Sequence, residues 1–275
     1  MDLTRVSSQE RRALAATFDT YGIVVFRDQS LTKRQLHDAG ALFGGAMAEI
    51  PGAAPDPDVP GVVVVSTRRP NGEFVPTDVD TVGDIDWHTD HGYVTTPPRG
   101  KILYALEVPR EGGLTGFIDG QITYSNLPPD LQTRVAGLHV IHSWNHAEAT
   151  IARNRAYHRE GDKALAPGKF ADIAYPIVYP HPVTGNKVLN IPPLWAAGIA
   201  EMPGEEGAAL LEKLQRHALQ NRFQYWHGYR VGDAVLWDNW RFMHAAGGTP
   251  GCYARTLWSV AITGRGFELG SPLPI

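Results

Sequence analysis

The chain has 275 residues and a formal net charge of -4, and 43% of its residues are hydrophobic while 20% are charged. This composition is typical of a folded globular protein, which excludes a disordered or fibrous chain, and the slightly acidic balance gives no reason to expect a nucleic-acid partner. The single cysteine, Cys252, allows no intrachain disulfide and favours a cytoplasmic location, and no apolar stretch suits a signal peptide or a membrane span, so we expect no membrane contact.

The start of the chain predicts a helix, a strand and a second helix. Residues 7–20 open with two serines that can cap a helix, and apolar residues then recur four apart. The β-branched run at 22–26 has the length of a strand. In 31–43 apolar residues return at helical spacing behind Thr32, a candidate N-cap, and two glycines end the pattern.

Two long polar segments are predicted to be loops that cover a binding site. After a proline-rich loop at 51–60 and a buried strand at 62–65, residues 67–86 show no periodicity. Residues 145–172 are likewise polar, basic and irregular. Loops of this length in compact domains are usually lids, binding loops or disordered segments. The first runs directly into His88, so we expect a lid or a substrate-facing wall there, and we expect the second to be a lid.

The remaining elements predict a mainly β domain. Helices are expected at 129–136 and 205–220. Strands are expected at 101–108, 114–118, 139–144, 234–237 and 256–262, with a hairpin at 177–190. Because no repeat or linker divides the chain, residues 1–275 are predicted to form a single mixed α/β domain, mainly β, with a closed or sandwiched β core and helices around it.

The segment Trp87-His88-Thr89-Asp90 carries the first chemical signal. If it is a strand, His88 and Asp90 point to one side, because alternate residues share a face. A histidine nitrogen and a carboxylate oxygen on one face are two of the three ligands in the facial triad of non-haem Fe(II) oxygenases. Alone, a His-x-Asp pattern is a weak signal in a chain with 11 histidines, and it needs a third ligand from elsewhere.

His244 is the candidate third ligand, and Arg255 and Thr115 are candidates for binding an organic acid beside the metal. His244 follows the strand at 234–237, and Arg255 lies 11 residues further on. A 2-oxo acid that chelates a metal through its keto oxygen and C1 carboxylate needs a fixed cation at its far carboxylate. An arginine grips a carboxylate through two parallel hydrogen bonds and keeps its charge, and a threonine hydroxyl can donate one more.

These motifs, in this order and spacing, resemble the TauD/TfdA family of Fe(II)/2-oxoglutarate dioxygenases. The shared pattern is W-H-T-D, P-P-x-G, E-G-G-x-T, W-D-N-x-x-x-x-H and R-x-L, with 25 residues from Asp90 to Thr115 and 11 from His244 to Arg255. The similarity extends over most of the chain, including G-I-V-V-F-R-D-Q near its start and the H-P-V-T-G-N-K-V-L-N hairpin.

The resemblance implies a double-stranded β-helix (jelly-roll) core and three cofactors, namely Fe(II), 2-oxoglutarate as cosubstrate, and O2. The site residues that it implies are His88, Asp90 and His244 for iron, Thr115 and Arg255 for 2-oxoglutarate, and Trp237 beside the metal. The expected reaction is hydroxylation of an unactivated C–H bond of a small molecule, or a cleavage or desaturation that follows from it, with release of succinate and CO2. A non-oxidative Zn enzyme with the same three ligands is the alternative from another class, because zinc also accepts two histidines and a carboxylate.

Two positions differ from the taurine-cleaving members of that family and bear on the substrate. Those members have a second arginine four residues after the 2-oxoglutarate arginine, and here that position is Ser259. They have an asparagine four residues before the first metal histidine, where this chain has Asp84. Because a carboxylate at that position could attract an amine, we expect an amine- or amino-acid-like substrate. The alternative is a sulfonate or aryloxy acid held by another arginine, such as Arg68, Arg69 or Arg153.

The other histidines have structural interpretations. His91 is expected to face away from the metal ligands, and His227 is expected to pack through a hydrogen bond. His139, His142 and His146 form a cluster in the sequence, but metal binding there is disfavoured. Besides a small-molecule substrate, a second copy of the chain in a homo-oligomer is the one partner left open.

Overall fold

The structure, a computed structural model, describes residues 1–48, 56–69, 71–74, 81–147, 170–264 and 266–273. Its helices include α1 (Ser8–Tyr21), α2 (Lys33–Ala39), α3 (Gly120–Ser125), α4 (Pro129–Arg134) and α5 (Glu205–Ala218). Its strands include β1 (Ile23–Phe26), β2 (Val62–Ser66), β3 (Thr81–His88), β4 (Gly100–Glu107), β5 (Thr115–Asp119), β6 (His139–His142), β7 (Ile173–Pro176), β8 (Val178–Pro180), β9 (Lys187–Leu189), β10 (Ala196–Ile199), β11 (Gln224–His227), β12 (Ala234–Asp238), β13 (Phe242–Pro250), β14 (Thr256–Ile262) and β15 (Ser271–Pro272). Within these ranges, no helix is both long enough and apolar enough to cross a membrane.

Local sequence signals explain where the first two helices begin. The Ser7 hydroxyl accepts a hydrogen bond from the Glu10 backbone N–H at 3.3 Å, and the Glu10 carboxylate accepts one from the Ser7 N–H at 2.8 Å. Thr32 and Gln35 form the same reciprocal pair at the start of α2. Each capping box satisfies two donors that a helix start leaves free. The four predicted helices are confirmed, although α2 is shorter than 31–43 and continues as a 3-10 helix at Gly40–Leu42.

The strands form antiparallel sheets, two of which build the core. The order in the first is β1-β12-β4-β14-β2, and the order in the second is β11-β5-β13-β3. A further sheet has the order β10-β6-β7-β15, and β8 pairs with β9 in the predicted hairpin. The mixed, mainly β class is therefore confirmed.

The first two sheets lie face to face, with large side chains between them. Trp237 of β12 is fully buried, and its ring centroid lies 5.4 Å from that of Phe117 on β5 and 4.8 Å from that of His244 on β13. Leu103 and Val235 of the first sheet belong to the same buried cluster as Phe117. The chemical residues of β3, β5 and β13 therefore face an interior that the other sheet closes.

The prediction of one continuous loop at 67–86 is wrong for its last part, because Thr81–His88 form β3. Its acidic residues Asp84 and Asp86 are exposed, whereas Val82, Trp87 and His88 are buried. A register shift opposite β13 also breaks the two-residue alternation by which a strand is recognised. Of the second predicted lid at 145–172, residues 148–169 lie outside the described part of the chain.

Candidate metal centre

The pairing of β3 with β13 brings the two candidate histidine ligands together. His88 and His244 are direct partners in the register of these strands, and their ring centroids lie 4.1 Å apart. On its other side β13 pairs with β5, where His244 stands opposite Phe117. His244 therefore sits in the centre of the sheet, and both rings are buried.

Asp90 also lies beside these rings, but its local structure differs from the one that the sequence suggested. We expected His88 and Asp90 to share a strand face, but β3 ends at His88 and Asp90 lies in the turn that follows. The side chain of Asn239 holds this turn. Its Oδ1 accepts from the Asp90 N–H at 2.7 Å, and its Nδ2 donates to the carbonyls of Asp90 at 3.0 Å and Pro98 at 3.1 Å.

The three side chains present a compact set of metal-binding atoms. One ligand atom from each of His88, Asp90 and His244 lies within 4.8 Å of the other two. The Asp90 carboxylate is 4.0 Å from Nε2 of His88 and 3.6 Å from Nε2 of His244. Nδ1 of His88 lies 2.8 Å from the carbonyl of Asp86, and a hydrogen bond there leaves Nε2 free to bind a metal. Two imidazoles and a carboxylate fit one divalent ion, with further coordination positions open towards the cavity.

Burial and charge keep these groups in the form that binds metal. Burial lowers the pKa of His88 and lowers that of His244 well below its ordinary value, so both imidazoles are neutral at pH 7. Burial alone would raise the pKa of the Asp90 carboxyl, but Lys101 and the nearby histidines bring it well below its ordinary value. A metal ion therefore meets two neutral rings and a carboxylate without displacing protons.

A cavity of about 150 Å³ lies beside the three ligands. Its lining residues are Val65, Ser66, Thr67, Val82, Gly83, Ile85, His88, Asp90, Lys101, Leu103, Thr115, Trp237, His244, Ala245, Ala246, Thr249, Arg255 and Leu257. Most of this surface is apolar, and its polar groups come from both sheets. The predicted residues Thr115, Trp237 and Arg255 are thus brought to one cavity with the metal ligands.

Arg255 and Thr115 are both held in place by hydrogen bonds to neighbouring residues. The Arg255 side chain donates from Nε to the carbonyl of Gly113 at 3.2 Å, and its backbone N–H donates to the Thr67 hydroxyl at 2.9 Å. The Thr115 hydroxyl shares a hydrogen bond of 3.0 Å with the Tyr229 hydroxyl. Arg255 lies 5.8 Å from the centroid of the Tyr229 ring, so this tyrosine links the two residues.

Sequence reasoning missed Asn239, Tyr229 and Lys101. Asn239 stood within the W-D-N-x-x-x-x-H motif, and Tyr229 lies two residues beyond His227 at the end of β11, a spacing that could have suggested a shared face. Lys101 opens a strand of apolar residues and gave no local signal. Its ammonium donates to Asp90 Oδ1 at 3.0 Å and lies 3.0 Å from Oδ2.

The two residues proposed from sequence to contact substrate do not line this cavity. Asp84 is exposed on β3, whereas its neighbours Gly83 and Ile85 face the cavity. Ser259 is 1% exposed on β14 and its hydroxyl has no hydrogen-bond partner among the described residues. The expectation that Asp84 faces the substrate is therefore not supported by its position.

His142 and His91 are two further buried histidines, and neither belongs to the group of three ligands. Nδ1 of His142 lies 2.9 Å from the carbonyl of Gly92, and its ring stacks on Tyr175 with centroids 4.3 Å apart. His91 is buried and stacks on Tyr93 at 5.6 Å. Burial lowers the pKa of both His91 and His142 to about 4. These rings are packed as core residues.

Comparison with known proteins agrees with the geometry. A sequence model of the family described as "Taurine catabolism dioxygenase TauD, TfdA family" matches residues 1–261. The chain belongs to the TauD/TfdA family. It is a 2-oxoglutarate-dependent dioxygenase, with Fe(II), 2-oxoglutarate and O2 as its cofactors, as the resemblance predicted.

Characterised relatives of this TauD/TfdA chain carry the names of several dioxygenases. It is 31% identical over 265 residues to an (S)-phenoxypropionate/alpha-ketoglutarate-dioxygenase of Sphingobium herbicidovorans, covering 91% of this chain and 85% of that protein. It is 30% identical over 249 residues to an alpha-ketoglutarate-dependent 2,4-dichlorophenoxyacetate dioxygenase of Cupriavidus pinatubonensis, covering 87% and 83%. It is 30% identical over 255 residues to an alpha-ketoglutarate-dependent sulfonate dioxygenase of Saccharomyces cerevisiae, covering 90% and 58%.

Solved structures share the fold. A putative alpha-ketoglutarate-dependent taurine dioxygenase from Burkholderia xenovorans superimposes with a TM-score of 0.78 at 23% identity, covering 100% of this chain and 90% of that one. AAD-2 in complex with Mn(II) and N-oxalylglycine superimposes with a TM-score of 0.77 at 25% identity, covering 98% and 93%. The arrangement of sheets around the cavity is therefore that of TauD-like enzymes.

Proposed function

We propose that His88, Asp90 and His244 bind the catalytic Fe(II), and that the two facing sheets are the jelly-roll core around it. The observation that carries this proposal is the convergence of one ligand atom from each residue within 4.8 Å beside a cavity. The ligands come from the end of β3, the turn after it and the paired strand β13, and together they provide the two histidines and one carboxylate of a facial triad.

We infer that Arg255 and Thr115 bind the remote carboxylate of 2-oxoglutarate. A guanidinium is suited to this carboxylate because it keeps its charge and offers paired donors. Tyr229 supports the pair through the Thr115 hydroxyl. Trp237 stands against His244 and closes the interior side, which keeps water away from the cosubstrate.

The reaction that fits this arrangement is oxygenation of an unactivated C–H bond, with 2-oxoglutarate converted to succinate and CO2. Iron, 2-oxoglutarate and O2 together supply the oxidising power when bound. The chain itself holds the carboxylate of the cosubstrate, orients the substrate in a mostly apolar cavity and excludes water. Hydroxylation is the expected outcome, and cleavage or desaturation follows from it where the substrate allows.

The substrate class favoured by these observations is a small organic acid, such as an aryloxy acid or a sulfonate, which was the alternative from sequence. The amine-like class depended on Asp84, and that carboxylate is exposed away from the cavity. Relatives that are 31% and 30% identical are named for phenoxypropionate and 2,4-dichlorophenoxyacetate. The apolar lining suits an aryl or alkyl body.

The test is succinate formation from 2-oxoglutarate by the purified enzyme with Fe(II) and air. A panel of aryloxy acids, sulfonates, amines and amino acids should contain compounds that raise succinate above the substrate-free rate, with an equal yield of oxidised product. The same panel with Zn(II) in place of Fe(II) should give none. Turnover that needs Zn(II) but neither O2 nor 2-oxoglutarate would overturn the proposal in favour of a non-oxidative enzyme.

A further inference from the structure

We propose that Lys101 is the residue that binds the acidic group of the substrate, so that a half-buried lysine on β4 selects monoanionic acids. This inference rests on the proposed function, and it names the residue that would select organic acids as substrates. Lys101 lines the cavity, and its ammonium touches the carboxylate of Asp90 at 3.0 Å. An acid held by this ammonium would lie beside the proposed metal ligands.

The strand register explains how a lysine fits into this interior. Lys101 stands directly between Trp237 on β12 and Ala261 on β14. Its ammonium lies 6.0 Å from the centroid of the Trp237 ring, close enough for a cation–π interaction. The side chain of Lys101 is 21% exposed, so the lysine is confined rather than free to reach bulk water.

A count of charges in the cavity shows why another anion is needed. Among the described lining residues, Asp90 is the acid, while Lys101 and Arg255 are the cations. In the loaded site the two positive charges of Fe(II) match the Asp90 carboxylate and the C1 carboxylate of 2-oxoglutarate. The C5 carboxylate matches Arg255. Lys101 must then share the Asp90 carboxylate with the metal, and the groups counted here keep one positive charge in excess, which favours a further anion beside Lys101.

A second buried polar group lies near this lysine. Ser259 faces the same interior, since its strand pairs with β4 so that Ser259 stands opposite Leu103 and Ala261 opposite Lys101. The Ser259 hydroxyl has no hydrogen-bond partner within the described ranges. Residues diagonal to one another across paired strands are within reach of long side chains. Ser259 therefore lies within reach of the Lys101 side chain, although Ser259 itself does not line the cavity.

The position of Lys101 also predicts which carbon reacts. Because the ammonium touches the carboxylate proposed to bind the metal, an acid on Lys101 holds its nearest carbons closest to the iron site. The rest of the substrate would extend along the apolar side chains of Ile85 and Leu257. The site should therefore oxidise a C–H bond one or two carbons from the acidic group and tolerate varied apolar bodies.

The experiment compares each acid with its uncharged amide in three proteins. Wild type, Lys101→Met and the control Lys187→Met are assayed for product from 2-phenoxypropanoate, from an alkanesulfonate and from 2-phenoxypropanamide. Lys187 is exposed on β9, where it contacts Tyr124, so its loss matches the change in charge without touching the cavity. We expect Lys101→Met to raise KM for the acid relative to KM for the amide about ten- to a hundredfold, as for a lost hydrogen bond to a charged group. Any effect of the variant on Asp90 is common to both substrates and cancels from this ratio.

A binding measurement separates this role from a structural one. Anaerobic Fe(II) and 2-oxoglutarate should give the same weak visible charge-transfer band in Lys101→Met as in wild type. Loss of the band in the variant would overturn the proposal, because Lys101 would then act on the metal or the cosubstrate. Equal KM values for the acid in variant and wild type, or no response of wild type to either acid, would also overturn it. If wild type forms neither the band nor succinate, the proposed function itself fails.

Discussion

Two pairs of buried histidines differ in what surrounds their rings. His88 and His244 face a cavity and lie within 4.0 Å of the Asp90 carboxylate. His91 and His142 are as deeply buried, but they stack on tyrosines outside the residues that line the cavity. Burial lowers the pKa of all four rings, so neither burial nor pKa distinguishes a ligand from a core residue. A convergent carboxylate and an open cavity make the difference.

The largest effect on activity should come from replacing a histidine of the cavity pair, compared with replacing one of the stacked pair. His244→Ala should lose Fe(II) binding and lower succinate formation by more than about a hundredfold, since even the loss of a residue that only orients a metal ligand costs about ten- to a hundredfold. His142→Gln, the matched control, should retain bound iron and activity. Iron content after anaerobic loading and succinate yield measure both. Loss of iron from His142→Gln alone would reverse the assignment.

A variant of Arg255 tests the part of the cavity where we propose that the remote carboxylate of 2-oxoglutarate binds. Arg255→Gln should raise KM for 2-oxoglutarate about ten- to a hundredfold, because a charge-assisted pair with its remote carboxylate is lost, while metal binding stays at the wild-type level. The control Arg216→Gln changes an exposed arginine on α5. Initial rates at varied 2-oxoglutarate give the KM. An unchanged KM in Arg255→Gln would show that another residue holds that carboxylate.

Asn239 tests whether the turn after β3 is what makes Asp90 a ligand. Asn239→Ala removes three hydrogen bonds to the backbone of Asp90 and Pro98. We expect metal affinity to fall about tenfold, as for other residues that orient a ligand. Titration of the metal-free protein with Mn(II) measures the affinity. The control Asn186→Ala lies in the exposed turn of the β8–β9 hairpin, and an equal loss in both variants would rule out a specific role.

The smallest effect concerns the stability of the folded protein in acid. It tests His142, which belongs to the pair of histidines that stack on tyrosines. The pKa of His142 is about 4 in the folded chain, against about 6.5 unfolded, so below pH 6.5 the unfolded chain binds a proton that the folded chain does not. Stability of the metal-free protein should therefore fall from pH 6.5 towards 4, by up to about 1.4 kcal/mol per pH unit for this group. The free energy of unfolding, measured in urea at several pH values, should fall less steeply with falling pH in His142→Gln than in wild type. An equal dependence on pH in the two proteins would contradict the burial of a neutral ring.

The sequence predicted elements whose signals are local. Capping residues placed the starts of α1 and α2, and the turn at Thr184 placed the β8–β9 hairpin. Motif order placed His88, Asp90, His244, Thr115 and Arg255, which the structure brings to one cavity. These features could be predicted because each rests on a short pattern or on spacing along the chain.

The features that could not be predicted from the sequence depend on pairing between strands that are distant in the chain. β13 was not predicted because its alanines and glycines at 245–248 resemble a loop, yet these residues pair with β3 on one side and β5 on the other. Lys101 and Tyr229 gained their roles from neighbours far away in sequence. Asp84 looked suited to a substrate because its spacing from His88 was counted along the chain, whereas the register shift in β3 decides which side chains face the cavity.

If His88, Asp90 and His244 bind one iron ion, the ion must keep room for a chelating cosubstrate. Anaerobic titration of the iron-loaded protein with 2-oxoglutarate, followed by visible absorption, tests it most directly. In wild type we expect a weak charge-transfer band that saturates at one 2-oxoglutarate per chain, and in Asp90→Ala we expect no band. A wild-type protein that binds iron but forms no band, or an Asp90→Ala protein that forms the same band, would contradict it.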